Sequence, residues 1–385
     1  MDCELNVFMD SDRINRTAYL QRIVPSLADW FLGNARDLPW RKDPLPYYVW
    51  VSEIMLQQTR VEAVKPYFRR FIETLPDIEA LSRCPEDRLM KLWEGLGYYS
   101  RVRNMQKAAK LVMEEYGGGL PEEAPELVRL PGIGSYTAAA VSSIAFGRPY
   151  AAVDGNVLRV VSRICADDSC IDETKVKKMW EQVLTEVLRA QDTGKGNFPG
   201  LFNQALMELG ALICLPNGEP DCTHCPEAHI CRAHLSGSEI HFPVRKAKKA
   251  RKIEERTVLV IRNGEDTLIR KREKKGLLAG LWELPNFDGK LSRTEAVREA
   301  EAIGLSPVRV ARLPDAKHVF SHIEWHMTGY LIFAADFYRE KGSDVVLTAK
   351  DGRRYLLTGP DRAGREYAIP SAFSAYMKYL SEKVL

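Results

Sequence analysis

The stretch LPGIGSYTAAAVSSIAFG, Leu130 to Gly147, decides how the chain is read. Pro131 breaks a helix, Gly132 and Gly134 allow a tight turn, and a run of small residues starts the next helix. Backbone N–H groups at such a turn point outward at a helix N-terminus. They make an anion site for which duplex phosphate is the natural ligand. A plain helix–turn–helix connection is the competing reading, so the choice rests on what surrounds the turn.

About twenty residues on, YAAVDGNVLRVVSRI (Tyr150–Ile164) places Asp154 before Gly155 and a periodic helix. Asp154 reads as an N-cap. A capping carboxylate also stays ionised beside the helix dipole, so it suits a chemical role as well. Upstream, Glu53 lies in YYVWVSEIMLQQTR (Tyr47–Arg60), flanked by Trp50, Val51, Ile54, Met55 and Leu56. Desolvation there would raise its pKa and suit a general acid; an exposed helical glutamate is the plainer reading. Arg36, Trp40 and Arg41 in ARDLPWRK read as a loop able to touch a nucleic-acid backbone, and Tyr98 and Tyr99 stand beside Arg101 and Arg103. Aromatics among cations fit base stacking with phosphate contact, or ordinary surface packing.

The surrounding segments are helical. Apolar residues recur at three- and four-residue spacing from Arg13 to about Leu235, for example in VKKMWEQVLTEVLRA and FNQALMELGALIC, split by Pro and Gly. A polar, basic stretch follows. Its segment RKAKKARK, Arg245–Lys252, carries six cations in eight residues and reads as a solvated linker able to track phosphates. Beyond about Arg256, TVLVIRN, DTLIRKR, HIEWHMTGYLIFAADF and RRYLLTG are strand-like, with one helix, SRTEAVREAEAIG, between them. The expected division is 1–236 helical, 237–255 linker and 256–385 mixed α+β.

Four of eight cysteines fall in CLPNGEPDCTHCPEAHIC: Cys214, Cys222, Cys225 and Cys231, with gaps of seven, two and five residues. A zinc ribbon pairs two CxxC knuckles across a longer loop, and here there is one. The crowding favours a four-iron four-sulfur cluster, although His224, His229 and His234 keep zinc open. Cys3, Cys84, Cys165 and Cys170 are scattered and read as small buried residues or surface thiols. The N-terminus lacks the pattern of a secretory signal and no apolar run is long enough to span a bilayer, which predicts a reducing compartment and disfavours a disulfide framework. The net charge of +3 does not by itself announce a nucleic-acid binder.

Taken together, LPWRK, VSEIMLQQTRV, GLGYYSRVRN, LPGIGSYTAAA, VDGNVLRV, the cysteine cluster, KGLLAGLWELPN and HVFSH resemble segments of the helix–hairpin–helix DNA glycosylases, and among them the MutY-type adenine glycosylases. The resemblance covers nearly the whole chain. One departure is the first cysteine gap, seven residues where the family usually has six; LPNGEPD is expected to bulge.

The resemblance implies a multidomain protein: an all-α helix–hairpin–helix glycosylase with an iron–sulfur cluster loop, joined to an α+β Nudix-like domain. It implies removal of adenine mispaired with 8-oxoguanine (or guanine) in duplex DNA, by a monomer in the bacterial cytoplasm with no membrane partner. Glu53 matches the general acid and Asp154 the carboxylate that stabilises the sugar cation, with Tyr136 and Asn156 in support. Gln58 and Tyr98 match side chains inserted into the base stack. Phe320, Ser321 and His322 match the loop that identifies 8-oxoguanine. The four cysteines match ligands of a four-iron four-sulfur cluster, and a monovalent or divalent cation is expected at the hairpin. Endonuclease-III-like relatives that also cut the strand carry a Lys at the place of Tyr136 for a Schiff base. Tyr has no amine, so base removal without efficient strand cleavage is expected. The rival readings are a bifunctional glycosylase/lyase and a noncatalytic DNA-binding protein. The Nudix-like segment TEAVREAEAIG lacks the paired acids that bind magnesium, which disfavours a nucleotide pyrophosphohydrolase.

Overall fold

The computed structural model describes residues 15–191, 197–247, 250–335 and 344–381, which form two compact units. Cys3 and two cations of the basic stretch, Lys248 and Lys249, lie outside the described residues.

The first unit, 1–83 with 103–247, is helical among its described residues. Helix Pro46–Leu56 opens with Pro at its first turn and buries eight of its eleven residues, so it sits in a core instead of on a surface. Helix Ser135–Phe146 follows the Gly turn and buries Thr137 to Ile144. Its alanines leave little side chain between backbones, and it packs on both Pro46–Leu56 and Phe198–Leu212. Gly147 ends it at φ +69°, a left-handed cap that glycine adopts without steric penalty. Asp154 caps helix Gly155–Cys165, which is buried along nearly all its length and packs on Phe198–Leu212. Trp180, Leu184 and Val187 of helix Thr174–Gln191 complete this core with Phe202 and Leu206. No described helix is long and apolar enough to cross a membrane.

The second unit takes residues 248–385 together with 84–102. Among the described residues its strands are β1 Lys252–Asn263, β2 Asp266–Lys271, β3 Trp282–Glu283, β4 Asn286–Asp288, β5 Pro307–Val319, β6 Ile323–Ala334, β7 Val345–Thr348 and β8 Arg354–Thr358. The sheet order is β5-β6-β1-β2-β8-β7, with β3 on β2 and β4 on β1. β1 and β6 run parallel in one unbroken register from Lys252↔Ile323 to Asn263↔Ala334. Alternation along β1 feeds two cores. Val258 and Val260 face Trp325, Phe373 and Tyr376, while Leu259 and Ile261 face Ala296 and Ala300 of helix Arg293–Ala302. Ser292 and Glu295 close a capping box at that helix. The strand over 307–319 is one that the sequence reading does not contain.

Residues 84–102 join this unit by specific bonds. Lys91 donates to the Gly364 carbonyl, Glu94 accepts from Ile369 N at 2.9 Å, and Lys271 pairs with Asp87 at 2.6 Å. Linear reading groups the segment with the helices around it. These bonds reach across more than 180 residues and cannot be seen in local pattern.

Candidate active site

Glu53, Asp154, Tyr136 and Asn156 line one cleft of the first unit, together with Gln58, Arg36, Trp40, Arg41 and the hairpin residues Gly134 and Ser135. At about 990 Å³ it lies at the upper end of the range of small-molecule sites. Glu53 is only 6% exposed. Burial pushes its carboxyl up to about 7; the Tyr136 hydroxyl, donating to Oε2 at 2.6 Å, and Arg41 pull the other way. Asp154 nearby adds to the upward push. The Tyr136 phenol, buried against these carboxyls, is held well above its ordinary range and therefore remains a donor.

Asp154 is both cap and cleft wall. Its Oδ1 accepts from Asn156 N at 2.9 Å and Val157 N at 2.8 Å, and its Oδ2 accepts from Asn156 Nδ2 at 2.8 Å. Burial raises this carboxyl, and the three N–H donors oppose that by favouring the ionised form. Asn156 is held in turn by Arg159, whose Nη2 donates to its Oδ1 at 3.0 Å. Arg159 also donates to the carbonyls of Gly210 at 2.7 Å and Cys214 at 2.8 Å. Sequence reasoning singles out neither arginine of this helix, Arg159 or Arg163. The signal is present: two cations inside the apolar run NVLRVVSRI require buried partners.

The candidate backbone contacts divide differently. Arg36 and Arg41 both clamp the carboxylate of Glu208, at 2.8 and 2.9 Å. Burial raises the Glu208 carboxyl, but the two guanidinium groups outweigh it and hold the acid at about 2. Trp40 is buried, edge-on to Phe68 at 5.4 Å. These three residues line the cleft, and the guanidinium groups of Arg36 and Arg41 are engaged with Glu208. Glu208, 172 residues from Arg36, is not visible from sequence.

Two candidate wedges have unusual backbones. Gln58 sits at φ +56° and Tyr98 at φ +45°, left-handed positions that few residues other than glycine adopt. Both are exposed, Tyr98 at 46%. Strain of this kind clusters at functional sites. In the second unit, Tyr98 Oη lies 2.6 Å from Ser321 Oγ. Phe320, Ser321 and His322 form the turn between β5 and β6, closed by Phe320 N donating to Ile323 O at 2.8 Å. Ser321 and His322 are exposed, and Phe320 packs on His318 and Trp325. At the hairpin, Gly132 sits at φ +80°, and a Cβ there would meet Asn104 Cβ at 2.6 Å.

Cys214, Cys222, Cys225 and Cys231 line one further cavity with Val160, Ile164 and Leu209. Burial, reinforced by the other cysteines, pushes Cys222 up to about 11 and Cys225 up to about 12. Thiols so crowded lose their protons readily only to a metal. Among the described residues, no three of these sulfurs lie within 4.8 Å of one another. Arg163 Nη1 approaches Cys214 Sγ at 3.2 Å, a donor that favours a bound thiolate. Of the three histidines, His234 joins Cys222 and Glu239 as a possible single-ion trio, while His224 pairs with Asp221 and His229 is exposed. The longer gap does bulge: Asn217 to Glu219 are exposed, and Asp221 N returns to Ile213 O at 3.0 Å.

Comparison with known proteins agrees with this architecture. Residues 51–186 match the HhH-GPD superfamily of base excision DNA repair proteins, and residues 257–379 match the NUDIX domain. An adenine DNA glycosylase of Homo sapiens is 34% identical, over 86% of this chain and 69% of the relative. One from Buchnera aphidicola subsp. Schizaphis graminum is 32% identical, over 83% of this chain and 90% of the relative. The solved structure of a thermostable thymine-DNA glycosylase is 27% identical with a TM-score of 0.50, over 57% of this chain and 98% of that one. The chain belongs to the adenine DNA glycosylase family.

Proposed function

We propose that this member of the adenine DNA glycosylase family hydrolyses the N-glycosidic bond of adenine in duplex DNA during base excision repair, and that its adenine is one mispaired with 8-oxoguanine or guanine. The observation that carries the reading is the pairing of a buried carboxyl near 7 with a second carboxyl held by three N–H donors in one cleft.

The adenine leaves the stack to expose its bond to the sugar, and Gln58 and Tyr98 take up the space in the duplex. Glu53, close to half protonated at neutral pH, gives its proton to a purine ring nitrogen. The bonding electrons leave with the base. The Asp154 carboxylate stabilises the sugar cation, by charge or by a bond to C1′, until water adds there. A buried acid beside a carboxylate that three N–H donors hold fits the working pair of glycoside cleavage. Tyr136 keeps Glu53 aimed and Asn156 fixes the Asp154 rotamer. Tyr136 has no amine, so the sugar is not captured as a Schiff base and the strand stays intact.

Phe320, Ser321 and His322 read the 8-oxoguanine. Arg36, Trp40 and Arg41 shape the wall beside the flipped base, and Gly132 and Gly134 present the hairpin to phosphate. Cys214, Cys222, Cys225 and Cys231 would hold a four-iron four-sulfur cluster, which when bound orders the loop that meets DNA. A monovalent or divalent cation at the hairpin, a bacterial cytoplasmic monomer and domain limits at 236 and 256 belong to the same proposal.

The test is a single-turnover reaction on a duplex with one 8-oxoguanine:adenine pair, developed with and without alkali. Breakage only after alkali is expected; breakage without alkali, with a borohydride-trapped adduct, would refute the monofunctional reading. Replacing Ser321 and His322 by Ala should lower the preference for 8-oxoguanine:adenine over guanine:adenine, and an unchanged preference removes that assignment.

A further inference from the structure

Tyr98 stands at φ +45°, a conformation that a tyrosine keeps only where its surroundings over-determine it. Two sets of bonds do so. The inner set lies within residues 93–101. Trp93 Nε1 donates to Gly97 O at 3.1 Å, and Arg101 Nη2 donates to Leu96 O at 2.9 Å and to Gly97 O at 3.1 Å. The Arg101 guanidinium also lies over the rings of Trp93 and Tyr98, at 5.4 and 5.5 Å. Bonds this local set the shape of the loop; its place on the sheet unit needs partners elsewhere in the chain.

The outer set supplies them. Glu94 accepts from Ile369 N at 2.9 Å and from Lys91, and Lys91 also donates to the carbonyls of Gly364 and Tyr367. Both side chains are half-buried, so their charge-assisted bonds are screened less than bonds on an open surface. The turn that receives them is itself fastened to the sheet. Trp282 N donates to Ala368 O at 3.1 Å, and the Trp282 ring meets the Tyr367 ring at 4.5 Å. Beyond the loop, the Tyr98 hydroxyl meets Ser321 Oγ at 2.6 Å. The exposed wedge is thus tied to the sheet unit on two sides, through Lys91 and Glu94 before it and through its own hydroxyl.

We propose that Glu94, with Lys91, is a positioning residue for the choice of mispair. It registers Tyr98 against Ser321 before DNA binds, so the side chain that enters the stack and the turn that reads 8-oxoguanine meet the mispair as one preformed surface. The proposal rests on the readings of Tyr98 and of Phe320, Ser321 and His322 given above.

The test uses the full chain and single-turnover adenine release from 8-oxoguanine:adenine and guanine:adenine duplexes, with the ratio of the two rates as the readout. A hydrogen bond to a charged group is worth roughly tenfold. Glu94→Ala should lower the ratio roughly tenfold with the guanine:adenine rate unchanged, and Lys91→Ala should lower it in the same direction. Glu94→Gln keeps an acceptor for Ile369 N and should retain most of the preference. Ser321→Ala should lower the ratio too, and Glu94→Ala combined with Ser321→Ala should lower it by less than the product of the single effects, because both changes act on one placement. A lowered ratio in Ser321→Ala beside an unchanged one in Glu94→Ala and Lys91→Ala overturns the positioning role and leaves the recognition reading standing. Equal slowing on both duplexes, or multiplying effects in the combined variant, also overturns it. An unchanged ratio in Ser321→Ala refutes the recognition reading and the positioning role with it.

Discussion

Replacing Glu53 by Gln should abolish base release and yet stabilise the protein in alkali. The side chain is 6% exposed and its carboxyl is pushed from an ordinary 4.5 to about 7, with burial the largest cause. A folded-state pKa above the unfolded one means that the folded chain binds more protons between these values. The stability tied to the proton is fully present below about 4.5 and is lost as pH rises through about 7. At 1.36 kcal/mol per unit the loss is about 3 kcal/mol. Gln keeps the shape, accepts from Tyr136 and carries no charge, so the variant escapes that loss. The assay is the denaturation midpoint of wild type and Glu53→Gln at pH 5 and pH 8, beside single-turnover adenine release and duplex binding. The variant should gain about 3 kcal/mol over wild type at pH 8 and no more than about 1 kcal/mol at pH 5, and should bind DNA without releasing base. An equal difference at both pH values would show that Glu53 ionises in its ordinary range, which would remove it as an acid at neutral pH. Base release at the wild-type rate would remove it from the chemistry outright.

Glu208→Gln strands Arg36 and Arg41 beside a neutral amide; breaking a buried pair costs roughly 3–5 kcal/mol, measured by denaturation at pH 7. Because the Glu208 carboxyl is lowered to about 2, its contribution is present above about 4.5 and lost as pH falls through about 2, so the variant should lose less stability than wild type across that acid window. Gly132→Ala forces a left-handed alanine against Asn104 and should cost about 1–3 kcal/mol. It should also weaken binding to undamaged duplex, read by fluorescence anisotropy; unchanged affinity would separate the hairpin from phosphate contact.

The sequence by itself determined whatever depends on neighbours in the chain. The Gly turn before Ser135, the Asp154 cap, the apolar spacing of the helices, the alternation of β1 and the cysteine spacing follow from turn chemistry, capping and period, which act over a few residues. So the helical unit, the sheet unit and the four cysteines were legible, and Glu53 and Asp154 could be named. Tertiary structure decided the states of those groups. The Glu53 carboxyl is raised to about 7 because helix Ser135–Phe146 helps to bury its helix, against the pull of Tyr136, which donates to it from 83 residues away. Arg36 and Arg41 are wall residues because Glu208 reaches them from another helix. Residues 84–102 belong with the sheet because Glu94 and Lys91 find partners near Ile369 and Gly364. Burial and the choice of hydrogen-bond partner depend on contacts distant in sequence, and pKa depends on both.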